Sequence, residues 1–101
     1  MAVKQGRPGF ATRQWHSALQ RGIDGSGGRS RAVIADLTTA AGREAVVRAA
    51  AGMPGGVDLL INNAGTGDFA WLADESDEML ERILRVNALA PMQLTRALLP
   101  Q

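Results

Sequence analysis

The stretch VDLLINNAG, residues 57–65, runs from a short apolar segment into two adjacent asparagines and then into two small residues. Apart from Asp58, residues 57–61 are uniformly apolar, and PGG at 54–56 precedes them. A brief apolar run bounded by turn-forming residues predicts a buried strand. The four residues after it carry suggestive chemistry. Ala64 and Gly65 are small enough for a ligand to approach the backbone closely. The amides of Asn62 and Asn63 each carry two donors and an acceptor, enough to tie neighbouring strand ends together. An ordinary Asn and Gly turn is the plainer reading of the same residues.

On the N-terminal side, RAVIAD (31–36) reads as another short strand. LTTAAGREAVVRAAAGM (37–53) then has Thr38 or Thr39 placed to cap a helix whose apolar stripe is Val46, Val47, Ala50 and Met53. On the C-terminal side, DESDEMLERILRVNALAPMQLTRALLP (74–100) reads as a long helix with acidic residues massed at its start, where the helix dipole favours them. The order strand, helix, strand, helix indicates a parallel sheet, because parallel neighbours need a crossover between them. Further upstream, GFATRQWHSALQRG (9–22) spaces Ala11, Trp15, Ala18 and Leu19 as a short amphipathic helix stopped by Gly22, and GIDGSGG (22–28) reads as a flexible linker. The expected class is therefore α/β, a β-α-β-α unit preceded by a short N-terminal helix. The boundary falls between a basic segment at 1–29 and an α/β domain at 30–101.

Composition narrows the function classes. The chain has 101 residues, enough for one small domain, and 46% of them are hydrophobic. With two Trp, two Phe and no Tyr, the core must be built mostly from Ala, Val and Leu. The absence of cysteine removes disulfide staples and thiolate metal sites and suits a reducing cytoplasm. No apolar run approaches the roughly 18 to 20 residues that span a bilayer, and no signal-peptide core is visible. The net charge of +1 conceals a basic half at 1–35 (+5) and an acidic half at 36–101 (−4). The basic residues are spaced singly without aromatic interleaving, which argues against a nucleic-acid arm. His16, alone in that segment, reads as a surface residue with no metal partners.

Two further residues carry chemistry of their own. Asp36 ends the first strand, and ligands of open parallel sheets bind beyond the carboxyl ends of strands. Its carboxylate suits the exocyclic amine of an adenine, while a turn or helix-entry role needs no ligand. Asn87 stands at helical spacing from Met79, Leu80, Ile83, Leu84, Ala90 and Leu94, within an apolar stripe where an amide must find partners. Pro91, four residues later, has no N–H to give the Asn87 carbonyl and should bend the helix.

Together, "DLT" after a strand, "GVDLLINNAG" as strand and turn, and "VN" with its asparagine 24 residues beyond Asn63 resemble the middle section of the short-chain dehydrogenase/reductase family. The resemblance covers about residues 30–100. It implies a partial Rossmann-type, doubly wound parallel sheet and hydride transfer between NAD or NADP and a small alcohol or carbonyl substrate. It implies that Asp36 and Leu37 lie at the adenine, that Asn63, Ala64 and Gly65 line the adenosine ribose, and that Asn87 is the catalytic asparagine whose main-chain carbonyl holds a relay water. It also implies association of copies through the helix at 75–99, and neither nucleic acid nor membrane as partner.

The departures are as clear as the matches. The family's Gly-rich phosphate loop and its catalytic Ser and Tyr-x-x-x-Lys have no counterpart: there is no Tyr, and Lys4 is the one lysine. In a sheet ordered 3-2-1-4-5, the two expected strands would be the third and fourth, with a two-strand gap between them. The sequence thus reads as a truncated oxidoreductase, inactive alone. A noncatalytic interaction module, or a remnant reading frame, is the alternative.

Overall fold

The computed structural model describes residues 2–4 and 10–99, with side chains from Ser17 onward. Strand β1 (Ala2–Lys4) leads into helix α1 (Phe10–Gly25), strand β2 (Ala32–Ile34) and helix α2 (Ala40–Ala51). After a long stretch without regular structure come a 3-10 turn (Leu72–Asp74), helix α3 (Asp77–Leu84), a π turn (Arg85–Leu89) and helix α4 (Ala90–Leu98). The last three form one helical run with a single wide turn inside it. This is a small α/β arrangement.

The sheet differs from the expectation at both ends. β1 and β2 pair in parallel, Ala2 beside Ala32, Val3 beside Val33 and Lys4 beside Ile34. The basic N-terminal segment therefore supplies a strand and its crossover helix. The two-strand gap expected from the sequence is at least half filled. Three residues, Ala-Val-Lys, are too few to show a period, so no pattern could announce β1. The run at 57–61, by contrast, forms no strand. No main-chain hydrogen bond among the described residues ties it down. A strand exists only through its neighbour, and here no neighbour pairs with it.

The expected linker is also built. α1 passes through Gly22 and ends at Gly25, and Gly27 takes a φ of +86°, which lets Gly28 N–H return to the Ile23 carbonyl at 3.1 Å. Ser30 then fastens the exit: its N–H and hydroxyl donate to Asp24 Oδ1 at 2.9 and 3.0 Å, and Gln20 Nε2 donates to its carbonyl at 3.1 Å. A glycine cluster here is a helix stop and not a loose tether. The side chains of Ala11, Trp15 and His16 lie outside the described residues, and Leu19 is exposed.

The α2 start is fixed tightly. Thr39, one of the two candidate caps, accepts from Gly42 N–H at 3.0 Å through its hydroxyl. The first turn lies so close to the end of β2 that a Cβ on Gly42 would stand 1.9 Å from the Asp36 carbonyl oxygen. Glycine is required there for close approach. Ser76 caps α3 in the same way, accepting from Met79 N–H at 3.2 Å, with Asp77 and Glu78 in the first turn.

The core is made of Ala35, Leu37, Val46, Ala90 and Leu94, with Val33, Val47 and Ala64 packed against it. Val86, Ala49 and Ala50 are buried as well. Full burial of a Val or Leu contributes about 1.5 to 3 kcal/mol each. Among the described residues, Leu37, Val46, Val86 and Leu94 are the buried Val and Leu side chains, so the core they make is small. α2 packs against both β2 and α4.

Candidate functional site

The carboxyl end of β2 and the loop after residue 61 supply the polar groups. Asp36 is held in a tight turn of its own: its Oδ1 accepts from Thr38 N–H at 2.9 Å and from the Thr38 hydroxyl at 2.7 Å. These two bonds, first the hydroxyl and then the amide, lower the Asp36 pKa, with the Arg82 guanidinium adding a smaller push in the same direction. The group is a carboxylate at neutral pH. Leu37 is buried in the core, and its carbonyl accepts from Arg43 Nη1 at 2.9 Å. Arg43 thereby braces the strand exit from inside α2.

The two asparagines behave differently from each other. Asn62 Nδ2 donates to the Thr95 hydroxyl at 3.3 Å, joining the loop to α4. Asn63 is exposed, Ala64 half-buried against the core, and Gly65 exposed. Asn62 thus braces the loop against a helix, not one strand end against another.

Asn87 finds both of its partners in one place. Its Oδ1 accepts from Thr66 N–H at 2.8 Å and its Nδ2 donates to the Thr66 carbonyl at 2.7 Å. The side chain reads a single backbone unit, as a strand neighbour would. Contrary to the apolar-stripe expectation, Asn87 is exposed; it lies in the π turn, between buried Val86 and buried Ala90. In that wide turn Ala90 N–H donates to the Arg85 carbonyl, five residues back. Thr66, 21 residues before Asn87, is the partner that sequence reasoning did not single out; a threonine followed by Gly67 carries no signal of it.

A cavity of about 770 Å³ lies between this loop and the helices. Leu37, Asn63, Ala64 and Gly65 line it together with Asn62, Val46, Val86, Pro91 and Leu94. Asp36 and Asn87 are not among its lining residues, but each adjoins one that is: Asp36 precedes Leu37, and Asn87 Oδ1 lies 3.5 Å from where a Gly65 Cβ would be. Four of the six expected site residues therefore share one cavity, and the other two, Asp36 and Asn87, are not among its lining residues. Among the described residues no three His, Asp or Glu side chains converge to hold a metal ion, and no helix is long and apolar enough to cross a membrane.

Comparison with known proteins points in one direction. The family model described as short chain dehydrogenase matches residues 6–101. An uncharacterised oxidoreductase of Methylorubrum extorquens is 35% identical over 80 residues, 79% of this chain and 32% of the relative. The ketoacyl reductase HetN of a Nostoc species is 36% identical over 78 residues, 77% of this chain and 27% of its own length. Galactitol 2-dehydrogenase of Agrobacterium fabrum is 37% identical over 71 residues, covering 70% of this chain and 28% of the relative. The chain thus spans about a third or less of the curated relatives it matches. No solved structure gives a significant match.

Proposed function

The chain belongs to the short-chain dehydrogenase/reductase family, and on that premise we propose that it is the nucleotide-cleft portion of an NAD(P)(H)-dependent oxidoreductase acting on a small alcohol or carbonyl compound. The observation that carries this reading is the convergence of Leu37, Asn63, Ala64 and Gly65 on one cavity, with Asn87 fastened to the next residue of the same loop. The fold is then a partial doubly wound sheet starting at β1 and including residues 1–29.

The residues present suit the adenosine end of the cofactor. Asp36 is ionised and oriented by Thr38, which fits it to accept from an adenine amine. Ala64 and Gly65 leave backbone, not side chain, along the wall where a ribose would lie. Bound NAD or NADP supplies or accepts the hydride. Asn87 spends its side chain on Thr66 and so leaves its main-chain carbonyl, which Pro91 cannot cap, to hold a water in a proton relay. A general acid is still needed, and a sequence without tyrosine, whose lysine is Lys4, does not supply the family's own. By itself the chain binds nucleotide weakly and turns nothing over. A cysteine-free composition suits a cytoplasmic protein.

The test is amide chemical shifts at millimolar NAD, NADP and AMP. Shifts concentrated at Leu37, Asn63 and Gly65, weakened by Asp36→Ala, are expected. Shifts elsewhere or none would sink the cleft reading. A second reading, association of copies through the helical run at 75–99, is favoured by the exposure of Leu84 and Met92 on it. Sedimentation that depends on protein concentration would support it.

A further inference from the structure

The surface at 68–81 is one-sided in charge: it carries six carboxylates and no basic residue. A tight turn concentrates them. Asp74 N–H donates to the Trp71 carbonyl at 2.8 Å and Glu75 N–H to the Leu72 carbonyl at 3.4 Å, so two carboxylates and two apolar side chains share the short span 71–75. Asp77 and Glu78 follow at once in the first turn of α3. Trp71 and Leu72 are 83% and 77% exposed, and Phe69, beside Asp68, is fully exposed. An exposed apolar patch with a polar rim marks an interaction site, and buried Trp side chains carry much of the energy of interfaces.

The exit of α1 has the opposite character. Leu19 and Ile23, four residues apart on one face of the helix, are 55% and 36% exposed. Gly28 folds back on Ile23, its N–H on the Ile23 carbonyl at 3.1 Å, which brings exposed Arg29 next to that face; exposed Arg21 stands on the same helix. Asp24, the one acidic residue of 1–35, already accepts from the Ser30 N–H and hydroxyl. Neither surface neutralises the other within one copy. Among the described residues the ion pairs are Glu44 with Arg48 at 3.6 Å and Glu81 with Arg85 at 3.4 Å, both between residues four apart. A partner for the acidic surface must therefore bring arginine beside an apolar centre from outside, and the α1 exit of another copy is such a surface.

We propose that the α1 exit of one copy docks on the 68–81 surface of the next, with Leu19 and Ile23 against Trp71 and Leu72, Arg29 facing the carboxylates around them and Arg21 adding to the basic field. Two different surfaces meet, so the contact is heterologous and adds copies in a row. Pairing of the helical run at 75–99 with itself would stop at two. Apolar contact holds the joint and charge steers it: exposed ion pairs contribute little each, while opposite fields speed encounter and fix register. The contact uses none of the residues that line the cavity, so it stands apart from any nucleotide chemistry.

The experiment is sedimentation of the full chain over a range of concentrations, at low and at high salt. The average mass should climb past that of a dimer, and association should weaken about tenfold or more between roughly 0.03 and 0.5 M salt. Leu19→Glu with Arg29→Glu spoils one surface, and Trp71→Ser with Leu72→Ser spoils the other; all four side chains are exposed, so the fold should tolerate both variants. Each variant alone should stay a monomer. Mixed one to one, they should form a dimer and nothing larger, because one intact α1 exit then meets one intact 68–81 surface. Four results would overturn the proposal. They are a parent mass independent of concentration, a mixture that stays monomeric, a parent that levels off at a dimer which Leu84→Glu with Met92→Glu abolishes, and a monomeric parent that binds a cationic amphipathic peptide. The third would assign association to the run at 75–99, and the fourth would make another protein the occupant of 68–81.

Discussion

The corner between β2 and α2 and the stretch at 57–72 begin from similar sequence and end in opposite states. Ala32–Ile34 and the run at 57–61 are both short and apolar. The first pairs with β1, hands its chain to a capped helix and is locked by Gly42 against the Asp36 carbonyl and by Arg43 on the Leu37 carbonyl. The run at 57–61 makes no main-chain hydrogen bond among the described residues and exposes Leu59 and Ile61, and the stretch that follows it exposes Phe69, Trp71 and Leu72. Composition cannot separate the two. What separates them is whether a neighbour accepts their backbone groups, a property of the rest of the fold.

The sharpest way to break that contrast is a methyl group in each region. Gly42→Ala puts a Cβ into the Asp36 carbonyl, and backbone at that point cannot yield cheaply. We expect a loss of about 3 kcal/mol, the upper end of overpacking costs. Gly67→Ala in the loop meets nothing within 4 Å and should stay within about 0.5 kcal/mol of the parent. Denaturant melts of both variants check the pair. Equal effects would mean that the corner is no more tightly packed than the loop.

Asn87→Ala probes a place where the loop is fastened to a helix through its backbone. It removes both hydrogen bonds to the Thr66 backbone unit, which water can partly replace because the site is exposed. The expected cost is about 1 to 2 kcal/mol, seen as roughly five- to thirtyfold faster exchange of the Thr66 amide, with the amides of α2 unchanged. If α2 exchange rises as much as Thr66, the two regions are one cooperative unit and the contrast fails.

These differences explain what could be read from the sequence. The α2 cap was readable as Thr38 or Thr39, because a cap acts within three residues of itself; Ser76, inside the run read as helix from Asp74, was not singled out. The α2 stripe was readable from period alone, as Val46 and Ala50 show. The family was readable because the DLT, VDLLINNAG and VN stretches stand in that order along the chain, and the family model matches residues 6–101. β1 was not, since its three residues are defined by a partner 30 positions away. The same holds for the Asn87 and Thr66 pair, and for the failure of 57–61 to become a strand. Local signals survive in sequence; pairing across distance does not.

Thr39→Ala and Ser76→Ala compare capping on the packed and the less packed side. Each removes a hydroxyl acceptor from a helix start, a loss of about 1 kcal/mol. The Thr39 change should be the larger, because its hydroxyl also donates to the Asp36 carbonyl at 3.0 Å. Thermal melts of the two variants give the ranking, and a larger loss at Ser76 would reverse it.

The smallest effect expected is electrostatic and lies at Asp36. The Thr38 hydroxyl and amide hold the Asp36 pKa below the ordinary carboxylate value, with a further push from Arg82. A carboxylate whose pKa is lower folded than unfolded stabilises the fold in full above the unfolded value, and that contribution fades as pH falls through the folded one. Melting temperature should therefore be level above about pH 5 and decline below about pH 4, and part of that decline belongs to Asp36. Asp36→Asn keeps an Oδ1 acceptor for Thr38 but has no charge to titrate. The variant should melt lower than the parent at pH 7, and the gap should narrow as acid protonates the parent. Solvent screens an exposed carboxylate, which is why this difference ranks last. A gap that stays constant from pH 7 to well below the unfolded pKa would mean that Asp36 serves the corner through shape alone, and that its charge contributes nothing to the fold.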